Sequence, residues 1–146
     1  MSSEETLDAQ AGIILVSYAD YGTAMLRAAE SVLGALSDCT SISVTMETEV
    51  SEIVRRLEEA VNLLEKGAGV IVLTDMFGGT PTNIALALLG KHTRLEVVTG
   101  VNLPMLLKVF TQRAMPLEDL AHTAREAGVN GIFVAGELLR EKCPKA

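Results

Sequence analysis

Three short runs of this chain are apolar at nearly every position, and that leaves few folds open to it. Gly12-Ile13-Ile14-Leu15-Val16-Ser17, Gly69-Val70-Ile71-Val72-Leu73-Thr74-Asp75 and Leu95-Glu96-Val97-Val98-Thr99-Gly100 are too short for helices and lack a polar face. They fit strands buried between two layers of helices. Ile42-Ser43-Val44-Thr45-Met46 alternates instead, which suits a strand nearer an edge. Gly131-Ile132-Phe133-Val134-Ala135 reads as a fifth, short C-terminal strand.

Between these runs the period becomes helical. Met25, Leu26, Ala29, Val32, Leu33 and Leu36 form one apolar stripe, which Gly34 only weakens. Val50, Ile53, Val54, Leu57, Val61 and Leu64 form a second, with Glu58, Glu59 and Glu65 turned outward. Residues 82–90 and 103–114 read as two more helices, and Leu117–Ala127 as a fifth, begun by Pro116 and stopped by Gly128. Strands alternating with helices predict an α/β fold: an open, mostly parallel sheet of four strands plus the short C-terminal one, with helices on both faces. Residues 1–10 read as a flexible leader and 11–146 as a single domain.

A net charge of −7 argues against a nucleic-acid partner, which needs clustered Lys and Arg to neutralise phosphates. No apolar run approaches the roughly 18 residues of a membrane span. The start Met1-Ser2-Ser3-Glu4-Glu5 is acidic where a secretory signal is basic. These features predict a cytoplasmic protein without direct membrane insertion. Cys39 and Cys143 have no metal-ligand spacing and read as free thiols, so neither a metal nor another cofactor is called for.

In an open parallel sheet, ligands sit at the carboxyl ends of the strands, beside the helix N-termini. Three segments fall there: Ser17-Tyr18-Ala19-Asp20-Tyr21-Gly22, Asp75-Met76-Phe77-Gly78-Gly79-Thr80-Pro81-Thr82-Asn83 and Gly100-Val101-Asn102-Leu103-Pro104. Gly78 and Gly79 allow positive φ and close approach of a ligand to the backbone. Thr80 and Pro81 suit a helix start whose free amides favour an anion. Asn102 and Pro104 repeat the pattern at the same edge. Asp75, ending a buried strand, needs a hydrogen-bond partner.

Together these segments resemble the mannose-type (mannose/fructose/sorbose) enzyme IIA family of the bacterial phosphoenolpyruvate-dependent phosphotransferase system, from about Gly12 to Ile132. Asp-x-x-Gly-Gly-Thr-Pro at 75–81 and Gly-Val-Asn-Leu-Pro-Met at 100–105 carry the likeness, with Leu26-Arg27-Ala28-Ala29-Glu30 and Gly34 in support. The resemblance implies a phosphoryl carrier between HPr and a IIB partner in sugar uptake. A histidine after the first strand would take the group, the aspartate matching Asp75 would orient its imidazole, and the hydroxyl at Thr80 with nearby amides would hold the phosphoryl oxygens. It also implies a homodimer, the strand at about 131–135 crossing to the partner's sheet.

One position departs. Counting back from Ala29-Glu30, the family's histidine falls on Tyr18 and its following glycine on Ala19; two adjacent changes read as natural divergence rather than one engineered substitution. A phenol with a pKa of about 10 is a poor nucleophile at neutral pH, and phosphotyrosine is a stable ester where phosphohistidine is a high-energy phosphoramidate. His92, in the loop entering the fourth strand, and His122, inside the last of these helices, are misplaced to substitute. The expectation is a relay-deficient regulatory or interaction homologue, with the Tyr18 hydroxyl meeting Asp75. The rival is a receiver-like signalling domain phosphorylated on Asp75, which lacks the acidic pair and the lysine such a domain requires. Neither a dinucleotide fingerprint nor a G-x-S-x-G motif is present.

Overall fold

The computed structural model describes residues 9–92 and 94–142. Its elements run β1 (Gly12–Tyr18), α1 (Tyr21–Leu33), β2 (Cys39–Val44), α2 (Val50–Leu64), β3 (Val70–Thr74), α3 (Thr80–Leu89), β4 (Leu95–Thr99), α4 (Leu103–Thr111), α5 (Leu117–Asn130) and α6 (Ala135–Lys142). The four strands form one sheet in the order β2-β1-β3-β4, and every pairing is parallel. The chain leaves β1 in one direction to make β2, then returns across β1 to make β3. Right-handed crossovers therefore place α1 and α2 on opposite faces, and the switch point lies between β1 and β3.

Each central strand divides its side chains between two cores, as the two-residue strand period requires. Ile14, Val16, Val70 and Val72 pack with Ile53, Leu57 and Val61 of α2 and Ile84 and Leu88 of α3. Ile13, Leu15, Ile71 and Leu73 meet Ala29 of α1, Met105, Leu106 and Val109 of α4, and Leu120 and Ala124 of α5. The unbroken apolar runs of β1 and β3 thus reflect a sheet covered on both sides. The alternating β2 lies at an edge, as its pattern predicts.

Three readings from the sequence are corrected. Gly34, with φ +87, ends α1 at Leu33 rather than only weakening it. Gly128 does not stop α5, which continues to Asn130. A Cβ at 128 would stand 2.8 Å from Met105 Cε, so glycine is there to let α5 approach α4. The C-terminal strand is absent: among the described residues 132–134 find no sheet partner, and Ala135 begins α6 instead. The leader lies almost wholly outside the described residues, as does Cys143.

The amino end of the sheet is closed by Arg113, 5% exposed. Its Nε and Nη2 donate to Ala11 O at 3.0 and 2.9 Å, Nη1 to Ser37 O at 2.7 Å, and Nη2 to Asp38 O at 2.8 Å. Its guanidinium also lies over the Phe110 ring, 5.3 Å from the centroid. One planar fork thus joins the region after α4, the entry to β1 and the α1–β2 turn. Burial lowers the Arg113 pKa from its usual value and raises that of the neighbouring Cys39 thiol. Arg113→Met takes a donor from three carbonyls, of which Asp38 O keeps the Ile13 N–H, and is expected to cost roughly 2 kcal/mol of stability in urea unfolding; a loss under about 0.5 kcal/mol would show the fork to be dispensable.

Candidate functional site

At the carboxyl edge, three turns are tied to one another. The first follows β1. Ala19 has φ +48, a left-handed conformation unusual for a residue with a Cβ, and its N–H donates to Val44 O at 2.9 Å. Asp20 makes no side-chain cap on α1; Ser17 Oγ instead accepts the Gly22 N–H at 2.8 Å. Gly22 fits there because a Cβ would meet Ser41 Oγ at 2.8 Å and Ser17 Oγ at 2.9 Å.

The second turn follows β3, and Asp75 spans the gap to the first. Its Oδ2 accepts the main-chain N–H of Tyr18 at 2.7 Å and its Oδ1 accepts the N–H of Met76 at 2.9 Å. The partner that the sequence demanded for this carboxylate is therefore backbone. The Tyr18 hydroxyl, expected on Asp75, goes elsewhere: it accepts the Thr80 N–H at 3.1 Å. The turn itself is held from below by a buried pair, Thr74 Oγ1 and Thr82 Oγ1, 2.6 Å apart, with Thr82 Oγ1 donating to Met76 O at 2.6 Å.

The two glycines of that turn do different jobs. Gly78 has φ +86. Gly79 has φ −82, which any residue adopts; a Cβ there would stand 3.3 Å from Tyr18 Cε2 and 3.4 Å from its hydroxyl. Glycine at 79 makes room for the tyrosine ring. Met76 and Phe77 project into solvent beside it, and Tyr18 itself is 36% exposed.

The third turn is joined to both. Gly100 and Val101 donate to Thr74 O at 2.9 Å, and the Tyr21 hydroxyl donates to Val101 O at 2.9 Å. Asn102 caps α4, Oδ1 accepting Met105 N–H at 3.0 Å, while Nδ2 donates to Gly128 O at 3.0 Å. Its amide thus serves the α4–α5 junction. Tyr18, Asp75, Gly79 and Thr80 come together, with Gly78 shaping their turn.

The same segments identify relatives. A sequence profile of the family described as "PTS system fructose IIA component" matches residues 12–124. The chain belongs to this mannose/fructose-type enzyme IIA family. The fructose-specific EIIA component of Bacillus subtilis is 24% identical over 130 residues, 88% of this chain and 89% of its own. The sorbose-specific EIIA component of Lacticaseibacillus casei is 33% identical over 97 residues, 66% of this chain and 70% of its own. The crystal structure of EIIA from Streptococcus agalactiae superposes with a TM-score of 0.80 at 25% identity, covering 87% of this chain and 98% of that one.

In this IIA chain, sequence reasoning missed Ser17, the Thr74–Thr82 pair and the hydroxyl bond of Tyr21. Each is a polar residue whose partner is set by tertiary approach, and only the threonines, placed at a strand end and a helix start, left any trace. His92 lies in the turn before β4 and His122 is exposed on α5; neither is at this edge.

Because Asp75 holds the backbone of residue 18, its contribution is independent of the side chain there. Asp75→Asn puts an NH2 against an N–H donor and is expected to cost about 2 kcal/mol. In a double-mutant cycle with Tyr18→Ala the two losses should add to within about 0.5 kcal/mol. A larger coupling in chemical unfolding would mean that Asp75 acts through the phenol.

Proposed function

We propose that this chain is a mannose-type enzyme IIA homologue that docks phosphotransferase-system proteins without carrying their phosphoryl group. The observation that carries the reading is the Tyr18 side chain at the N-terminus of α3, its oxygen on the Thr80 N–H, where the family resemblance puts a histidine. A phenol needs a base to become a nucleophile. The nearby carboxylate of Asp75 is turned to two main-chain amides. An aryl phosphate, once formed, would hold the group rather than pass it on. Asp75, by the same contacts, is engaged as a strand tie, which disfavours the receiver-like alternative.

The scaffold for docking is intact. Met76, Phe77, Tyr18 and Tyr21 leave exposed apolar surface around the edge, the kind of patch that meets a partner protein. HPr-like and IIB-like proteins are the partners the family suggests, in the cytoplasm; no helix among the described residues is long and apolar enough to cross a membrane. The site residues of this reading are Tyr18 at the acceptor position, Asp75 as the tie, and Gly78, Gly79 and Thr80 as the phosphoryl-binding turn. Asn102 supports the edge from its cap on α4.

A homodimer completes the reading. The free edge of β4 borders a groove of about 1140 Å³ lined in part by Phe77, Leu86, Leu95, Val97, Ala121 and Val129. Ile132, Phe133 and Val134 stand exposed just beyond α5. The C-terminal segment of a second copy would cover the edge and bury these side chains together. The chain should therefore run as a dimer in light scattering, and Phe133→Glu with Val134→Glu should make it monomeric. A monomeric wild type would remove the dimer from the reading.

The docking reading is tested by incubating the chain with phosphoenolpyruvate, enzyme I and HPr, beside Tyr18→His. The expected result is no acid-labile phosphoryl adduct on the wild type and a clear one on the variant. Label on the wild type would overturn the reading, and label on neither would show that the relay proteins no longer recognise the scaffold.

A further inference from the structure

We propose that the Tyr18 phenol is a built-in occupant of the phosphoryl position, keeping the site closed to anions. The inference rests on the reading of Gly78-Gly79-Thr80 as the family's phosphoryl-binding turn and adds how that site is regulated in this chain. It begins from the unmet needs of α3. Gly79, its N-cap, has no side chain to accept a first-turn N–H, and Pro81 has no N–H to offer. The donors of that turn reduce to the amides of Gly79, Thr80 and Thr82, and Thr80 is the first residue of the helix proper. The phenol oxygen takes the Thr80 amide from 62 residues away in sequence.

The phenol is delivered by a backbone fixed on both sides. Asp75 holds the Tyr18 N–H, and Val44 O holds the Ala19 N–H, with Ala19 in the left-handed region. The missing Cβ of Gly79 leaves the ring its place. Little further ordering is needed to make the contact, so a neutral hydroxyl can compete with a free anion that must surrender its mobility. A tethered group also acts at an effective concentration in the millimolar range. Docking of a partner on this edge would then be the same whether or not a phosphoryl group is on offer.

The test is a titration with inorganic phosphate, against chloride at matched ionic strength, following the Thr80 amide by NMR in wild type, Tyr18→Ala and Tyr18→Phe. The expected result is a saturable shift in Tyr18→Ala with at least about tenfold tighter binding than wild type, the equivalent of about 1.4 kcal/mol. Tyr18→Phe, which keeps the ring and frees the amide, should also bind more tightly than wild type, and it decides the matter should the alanine variant fail to fold. Equal affinity in wild type and the folded variants, or no saturable shift in any of them, would overturn the proposal. HPr takes no part in the titration, so its failure leaves the docking reading standing; labelling of the wild type would end that reading while leaving the titration valid.

Discussion

One carboxylate sets the geometry of the functional edge. Asp75 accepts the main-chain N–H of Tyr18 and that of Met76, joining the ends of the two central strands where the sheet's topology opens a crevice. Charge-assisted bonds to amides are among the stronger contacts a partly exposed group can make. The Asp75 tie fixes where residue 18 leaves β1, and the left-handed turn at Ala19 and the start of α1 follow from it. The Thr74–Thr82 pair does the same for the far side of the turn, so that the start of α3 faces the end of β1 at hydrogen-bond distance.

That arrangement leaves the geometry of this edge independent of the side chain carried at position 18. A residue whose bonds run to backbone does not depend on which side chain its partner carries. Asp75 stabilises the fold with tyrosine at 18 as it would with any other residue there. The motif at 75–81 therefore speaks for the scaffold, and the chemistry has to be read from Tyr18 itself. Its oxygen lies on the first amide of α3, which makes the phenol both a cap for a helix that lacks its own and an obstacle to an anion.

The central strands and the helices around them were legible because burial on two faces and burial on one leave different periods in the sequence. The capped start of α4 was legible too, since Asn102 and Pro104 act locally. Other features were not. Gly128 looked like a helix stop and is a point of helix contact, a distinction made by Met105 of a different helix. The run at 131–135 has strand-like residues, but a strand needs an edge to pair with, and 132–134 pair with none among the described residues. Arg113 gave no signal, because its acceptors are carbonyls, which every sequence has. The phenol's destination is hidden for a related reason: Asp75 is the obvious side-chain partner, while the amide of Thr80 is invisible in a list of residues.

The closed site depends on the contact between the Tyr18 oxygen and the Thr80 N–H, and hydrogen exchange reads that contact directly. The Thr80 amide in wild type should exchange measurably more slowly than in Tyr18→Phe, while the amides of Tyr18 and Met76, held by Asp75, keep their protection in both. Equal exchange at Thr80 in the two proteins would show that the phenol does not cap α3, and would contradict the account of a site filled by its own side chain.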